Sequence, residues 1–150
     1  MMCGYIEKDW GTKFPKSYLW CQTNSFGIKN TSLFLSVAEV PFKRMKINGF
    51  ICVLLIDGKE YRFATYNLAK IKKIEMNGNI VSILIKKNMY QLYISINRRN
   101  SLKLIAPNSN GMKKIINESL DSEVDVKLLK GNKLLFEASS LNAGLEIVGG

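Results

Sequence analysis

The 150-residue sequence predicts an all-β protein, an antiparallel barrel or sandwich of about ten strands. Three observations support this fold class. Apolar residues recur with a period of two, which is typical of strands, rather than the helical period of 3.6. Dipeptides typical of tight turns separate these stretches, namely Asp57-Gly58, Asn77-Gly78 and Gly131-Asn132. The stretches are also short and closely spaced, as in a sheet of consecutive hairpins.

The strands follow from this alternation in chain order. The first clear strand, residues 33–40, stops at Pro41, which has no amide hydrogen to give to a sheet. The other predicted strands are 49–56, 59–66, 71–76, 80–87, 89–97, 102–106, 124–129, 134–138 and 145–148. One segment departs from the pattern, because its apolar residues recur at helical spacing after Ser109-Asn110-Gly111. The sequence therefore predicts one short helix over residues 111–120, on Met112, Ile115, Ile116 and Leu120.

Composition indicates one globular domain over residues 1–150. Apolar residues make up 47% of the chain and charged residues 23%, and the chain shows no repeat or linker. No apolar stretch reaches the roughly 18 residues that a membrane-spanning helix needs. The first residues also lack the basic and apolar regions of a signal peptide. We therefore expect a cytoplasmic protein, with peripheral membrane contact as an alternative.

The charge balance is strongly basic, with 22 Lys and Arg against 12 Asp and Glu. A net charge of +10 suits an anionic partner, but lysines spread along the chain also suit an ordinary solvated surface. Arginine is scarce and no arginine-rich or glycine-rich recognition motif is present, so we expect no nucleic-acid partner.

Cysteine and histidine usage limits the chemistry. Cys3, Cys21 and Cys52 are far apart and form no metal-binding pair. The chain has no histidine, which excludes histidine-based catalytic triads and most zinc sites. We expect reduced, partly buried thiols, and neither a metal nor a cofactor.

The strand at residues 50–56 is apolar on both faces. A strand with one wet face would alternate, so this strand needs cover on both sides. The alternative is that it lines an apolar lumen while packing against another element outside.

Two carboxylates in the opening segment are candidates for acid chemistry. In an extended strand, Tyr5, Glu7 and Asp9 share one face and Trp10 lies on the other, with the carboxylates roughly 7 Å apart. Facing an apolar cavity, such a pair would hold a proton near neutral pH and could donate it. The alternative is a rim position, in which these carboxylates pair with neighbouring lysines or cap the turn at Gly11.

Two further segments are candidates for ligand binding. Alternation places Tyr18, Trp20, Gln22 and Asn24 on one face, a mixture that suits a flat ring with polar edges. The alternative is a core tryptophan whose neighbouring amides bond to the backbone. Arg62 and Tyr66 also share a face, and Arg62 would be a strong anion partner inside a barrel but of little consequence outside.

Several blocks of the sequence resemble the tocopherol cyclase family. They are residues 4–11, Phe14-Pro15, residues 20–26, 32–38 and 63–66, Ala106-Pro107, Gly111-Met112, Ile116, residues 118–120, 135–137 and 143–146. The resemblance covers nearly the whole chain and corresponds to the C-terminal half of the longer family members. The family usually carries a histidine where this chain has Ser25.

The resemblance implies a lipocalin-like β-barrel that acts on prenylated ring compounds. In the family's reaction an acid protonates a prenyl alkene, and the phenol oxygen of a benzoquinol closes a chromanol ring without a cofactor. On matching positions, Asp9 or Glu7 would be the proton donor, and Trp10, Trp20 and Tyr66 would face the cation. Gln22 and Asn24 would orient the ring hydroxyls, with Tyr5 and Arg62 as further substrate contacts.

Three hypotheses stay open from the sequence. The first is a cyclase-like isomerase acting on a prenylated quinol. The second is a non-catalytic module that binds a prenylquinone or another hydrophobic small molecule. The third is a half-domain that pairs with the missing N-terminal half as a separate chain, or with itself in a homo-oligomer, through a large exposed apolar patch.

Overall fold

The computed structural model describes residues 6, 15–39, 49–100, 102–108 and 111–149, and the side chains of 104–108 and 111–115 are not included. Within these ranges the chain is β-structure joined by turns and one short 3₁₀ helix, Thr65–Asn67. The strands are β1 Tyr18–Thr23, β2 Ser32–Ala38, β3 Gly49–Ile56, β4 Lys59–Ala64, β5 Lys70–Asn77, β6 Ile80–Lys87, β7 Tyr90–Asn97, β8 Leu102–Asn108, β9 Gly111–Lys130 and β10 Lys133–Val148.

The ten strands form one antiparallel sheet that curls into a nearly closed barrel. The strand order is β4-β3-β2-β1-β10-β9-β7-β6-β5, and β8 pairs with the first half of β9. This architecture confirms the all-β, antiparallel, lipocalin-like prediction. The hairpin at Asp57-Gly58 is confirmed as well, because both residues adopt the positive φ that a type I′ turn requires, 47° and 81°.

The barrel closes along a seam between β4 and β5, the two ends of the strand order. The 3₁₀ helix links these strands, and the Ala69 amide donates to the Ala64 carbonyl oxygen over 3.2 Å. Side chains from β6 and β7 complete the seam. Lys87 Nζ donates to the Arg62 carbonyl oxygen at 3.2 Å, and the Tyr61 and Tyr90 rings meet edge to face with centroids 5.9 Å apart.

The predicted helix over residues 111–120 is wrong, because this segment is the first half of β9. Its backbone pairs with β8, where Asn108 faces Gly111, and then with the end of β10. The asparagine-glycine signal therefore marks a hairpin rather than the start of a helix. Helical spacing would bury Leu120, yet Leu120 is 69% exposed and Ser119 is buried instead. Pairing with β8 along most of its length, and with β10 at its end, supplies partners for the backbone of this segment and outweighs its apolar periodicity.

Alternating side chains fill the barrel interior. The inward residues form one apolar cluster, and many of them expose no surface at all to water, including Leu19, Leu33, Leu35, Leu54, Ile85, Leu92, Ile96, Leu128 and Leu145. A void large enough for a water molecule would leave some of their surface accessible. The barrel is therefore packed solid around these residues, as in ordinary protein cores.

The doubly apolar strand β3 is covered on its inner face by this core. Phe50, Cys52 and Leu54 point inward and are buried. Ile51 and Val53 point outward and are half-buried, so the outer face of β3 is only partly shielded from water. The inner face of β3 therefore belongs to a packed core and does not line an apolar lumen.

The long strands β9 and β10 connect the two parts of the sheet. The second half of β9 pairs with β7, whereas its first half pairs with β8. Register shifts interrupt the β9–β10 pairing near Leu134, Ser140 and Ala143. Such irregularities bend a strand. The end of β10 pairs with β9 on one edge and with β1 on the other.

Two cysteines lie inside the barrel as free thiols, and Cys3 falls outside the described residues. Cys21 on β1 and Cys52 on β3 both face Leu35 on the strand between them. Burial raises the pKa of the Cys21 thiol from 9.0 to about 12, and it raises the pKa of Cys52 as well. These thiols are buried more completely than the partial burial that the sequence predicts.

The described part of the chain holds no helix with the length and apolarity that a membrane crossing requires.

The buried Cys21 thiol predicts a loss of stability in alkali. Above pH 9 the unfolded chain loses the thiol proton, whereas the folded protein keeps it up to about pH 12. The free energy of unfolding should therefore fall as pH rises through this window, by up to about 1.4 kcal/mol per pH unit for this group. Urea unfolding at several pH values in the window measures this slope. The Cys21→Ala variant should show a shallower slope, and an unchanged slope would contradict the prediction.

Candidate functional site

Part of the predicted site lies outside the described residues. This applies to Tyr5, Glu7, Asp9 and Trp10, so their assigned roles stay predictions. The other predicted residues are Trp20, Gln22, Asn24, Arg62 and Tyr66, and the structure places all of them.

Trp20 and Gln22 lie on the outer face of the barrel. Strand β1 directs Leu19 and Cys21 into the core, so the alternating residues Trp20 and Gln22 face outward. Tyr18 shares this outer face, and Asn24 follows the strand in an exposed loop. The predicted grouping of these side chains on one side of β1 therefore forms a surface site rather than the wall of a lumen.

The Trp20 indole lies over a glycine of the neighbouring strand. Gly144 on β10 is opposite Gln22, two positions from the residue opposite Trp20. A Cβ atom built on Gly144 would come within 3.2 Å of Trp20 Cζ3, which is tighter than most packing contacts. Because Gly144 has no side chain, the Trp20 indole can pack directly on the sheet at this position.

A carboxylate and a tyrosine hydroxyl stand beside this indole. Glu146 on β10 is directly opposite Trp20, and the Tyr18 hydroxyl donates to its Oε2 atom over 3.0 Å. Burial, together with the negative charge of Glu146, raises the pKa of Tyr18 far above its usual value. Tyr18 therefore stays a hydrogen-bond donor over the physiological range and holds the Glu146 carboxylate in place. Glu118 on β9 is opposite Glu146 on the other side.

The Gln22 amide nitrogen is buried and has no hydrogen-bond partner among the described residues. Gln22 lies between Gly144 on β10 and Phe34 on β2. A buried donor without a partner costs free energy, so natural proteins seldom leave one without a reason. Gln22 therefore holds an unsatisfied hydrogen-bond donor beside the indole.

Arg62 and Tyr66 form a separate group at the barrel seam. The Arg62 side chain is exposed on β4, where its guanidinium donates to the Glu60 carboxylate at 2.7 Å and to the Tyr66 hydroxyl at 3.1 Å. This guanidinium lowers the pKa of Glu60. Tyr66 lies in the 3₁₀ helix and is 69% exposed.

The two groups lie far apart. Arg62 and Gln22 occupy one cross-strand row, with Phe34 and Val53 between them. Three strand spacings correspond to about 14 Å. The structure therefore does not bring Arg62 to the Trp20 site.

An open cavity of about 530 Å³ occupies another part of the outer surface, across β5, β6, β7, β9 and β10. Its lining mixes both charges with serine hydroxyls and the exposed Tyr93 ring. None of the predicted site residues contributes to it. Among the residues that the structure describes, no group of three or more Cys, Asp or Glu side chains is arranged to hold a metal ion.

Sequence reasoning missed Glu146, Glu118 and Gly144 as site residues. Alternation alone puts Glu146 on the face opposite to the buried Leu145. Only the pairing of the last strand with the first, however, shows that this face carries Trp20. The site therefore combines a carboxylate, a hydroxyl, an aromatic face and an amide donor, which together can move a proton and contact a cation.

The close contact at Gly144 predicts a different response to alanine at two glycines. Gly144→Ala should be less stable than Gly49→Ala by about 1 kcal/mol, because the indole must shift to admit the methyl group. Gly49 is the matched control, since a Cβ atom there meets nothing closer than 4.0 Å. Urea midpoints measure the difference, and Trp20 emission in a Trp10→Phe background reports the shift. Equal stability with unchanged emission would contradict the packing described.

The unpaired Gln22 amide predicts a variant that gains stability. Gln22→Met keeps the shape of the side chain and removes the buried donor, so the free energy of unfolding should rise by about 1 kcal/mol. Chemical unfolding measures the change. Gln91→Met on β7 is the comparison, because the Gln91 side chain already accepts a hydrogen bond from Tyr93. A loss of stability in Gln22→Met would show that the amide has a structural partner.

Comparison with known protein families gives one match. The family model described as "Tocopherol cyclase-like" matches residues 2–150. Neither the curated proteins nor the solved structures give a match. The family match spans almost the whole chain and agrees with the resemblance seen in its motifs. The chain belongs to the tocopherol cyclase-like family.

Proposed function

We propose that the protein is a cofactor-independent isomerase that closes a prenylated benzoquinol to a chromanol. Membership of the tocopherol cyclase-like family supports this reaction class. The observation that carries the proposal is the Glu146 carboxylate, held by the Tyr18 hydroxyl and directly opposite Trp20. A carboxylate that could transfer a proton and an aromatic face that could contact a cation are therefore adjacent on the surface.

The proposed reaction needs only a proton and a shaped surface. A carboxylic acid gives its proton to the trisubstituted alkene of the prenyl tail, which leaves a tertiary cation. The phenol oxygen of the quinol attacks that cation and forms the ring C–O bond. The phenol proton then returns to a carboxylate, so the product has the composition of the substrate.

The residues divide this work by their chemistry. Asp9 and Glu7 remain the predicted proton donors, and Glu146, whose carboxylate accepts the hydrogen bond from Tyr18, would take up the phenol proton. The Trp20 indole would face the developing cation, since an aromatic face attracts positive charge. Gln22 would turn its buried amide outward to donate to a ring oxygen, which supplies the partner that this donor lacks and orients the quinol.

A second candidate function is binding of a prenylquinone or another hydrophobic molecule without turnover. The packed interior favours it, because a molecule held on the outer face gains less shelter from water than one inside a lumen. The third hypothesis, a half-domain that pairs with another chain, is favoured by the half-buried apolar residues on the outer face of β3.

A deuterium experiment tests the cyclase proposal. The purified chain is incubated in D₂O with a prenylated benzoquinol, alone and with the N-terminal half of a longer family member added. Ring closure should give a chromanol with a new retention time and one non-exchangeable deuterium on the carbon that was protonated. Binding of the quinol without any chromanol in either arm would favour the second candidate.

Variants assign the carboxyl group. If Glu146 acts in the reaction, Glu146→Gln should lower kcat by at least about 100-fold. Glu137→Gln is the matched control, because Glu137 is exposed on the same strand far from Trp20. Asp9→Asn and Glu7→Gln test the donors predicted from sequence. Full turnover in all three single variants would remove the carboxyl mechanism.

A further inference from the structure

The turns of four hairpins lie together on one side of the barrel. The Gly58 amide donates to the Asn30 carbonyl oxygen at 3.0 Å, which joins the β1–β2 loop to the β3–β4 turn. The Gly131 amide donates to the Met89 carbonyl oxygen at 2.8 Å, which joins the β9–β10 turn to the β6–β7 turn. Two ring contacts connect the first pair of turns to the second, one between Phe26 and Phe136 and one between Tyr61 and Tyr90. We name residues 24–31, 57–62, 86–90 and 129–134 the turn face.

The turn face carries a concentrated positive charge. It holds seven basic side chains and two acidic ones, Asp57 and Glu60, and Glu60 is paired with Arg62. The basic residues are Lys29, Lys59, Arg62, Lys86, Lys87, Lys130 and Lys133. An excess of five positive charges on these segments is half of the net charge of the whole chain. Half of the net charge of the chain is therefore concentrated on these segments.

Apolar side chains protrude between these lysines. Ile28, Met89 and Leu134 belong to three different turns and are 44%, 62% and 47% exposed. Soluble surfaces carry such residues singly, whereas here they share one basic face.

Two lysines of the turn face have their ammonium groups over tyrosine rings. Lys59 Nζ lies 5.1 Å from the centre of the Tyr61 ring, and Lys130 Nζ lies 5.5 Å from that of Tyr90. Lysine and tyrosine side chains combine an apolar body with a polar tip, which suits the boundary between water and lipid.

We infer that the turn face docks on the surface of an anionic lipid bilayer. The lysines would attract acidic headgroups, and the protruding aliphatic side chains would enter the headgroup region, as in other peripheral proteins. A nucleic acid would use the positive charge but not the exposed aliphatic residues, and it would favour arginine and exposed aromatic rings. This inference does not depend on the proposed reaction, because the charged and aliphatic residues on which it rests do not belong to the Trp20 site.

Vesicle sedimentation tests the inference with the full chain. The protein should bind vesicles of phosphatidylcholine mixed with phosphatidylglycerol, and it should bind pure phosphatidylcholine vesicles much less. Because each lysine near the surface contributes roughly 5-fold in partitioning, Lys130→Gln/Lys133→Gln should weaken binding by about 25-fold. Met89→Ser/Leu134→Ser should weaken it as well and make the remaining binding more sensitive to salt.

Matched controls separate this surface from general charge. Lys16→Gln/Lys103→Gln removes the same charge from exposed positions at the other side of the barrel and should leave vesicle binding within about 2-fold of the original. Equal weakening by both lysine pairs, or failure to bind anionic vesicles, would overturn the inference. Stronger binding to a single-stranded oligonucleotide than to vesicles would also overturn it. Urea unfolding of each variant confirms that a loss of binding is not a loss of fold.

Discussion

Close packing of the inward side chains is the constraint that shapes the rest of this molecule. No space for water is left among Leu19, Leu35, Leu54 and their neighbours, so the described part of the barrel has no room among them for a ligand. A ligand that contacts the described strands must therefore bind on their outer surface. The same packing explains why the thiols of Cys21 and Cys52 are inert, since they are components of the core rather than of a site.

The pairing of β10 with β1 connects this core to the candidate site. The end of β10 stays paired with β9 on one edge and pairs with β1 on the other. This pairing brings the last strand beside the first strand of the described fold, so Glu146 and Trp20 become neighbours although 126 positions separate them. The proposed chemistry relies on this pairing, which sets a carboxylate beside an aromatic face.

Much of the fold could be predicted from local pattern, because alternation and turn dipeptides act over a few residues. The strand Gly49–Ile56 and its Asp57-Gly58 turn are examples. The helix predicted over 111–120 was wrong because the preceding strand β8 and the distant end of β10 supply partners for its backbone, which the spacing of its apolar residues does not reveal. For the same reason, Trp20 could be placed on one face with Gln22, but neither the direction of that face nor the presence of Glu146 could be deduced.

The seam beside the 3₁₀ helix has a mechanical consequence. Elsewhere neighbouring strands share a ladder of backbone hydrogen bonds, but here the Lys87 ammonium, the Tyr61–Tyr90 ring contact and a five-residue link hold the margins together. Side-chain contacts of this kind separate one at a time, whereas a ladder resists as a unit. Thermal fluctuations will therefore separate the strands at this seam first. The backbone amides of β4 and β5 will exchange their hydrogens sooner than those of β1 and β10.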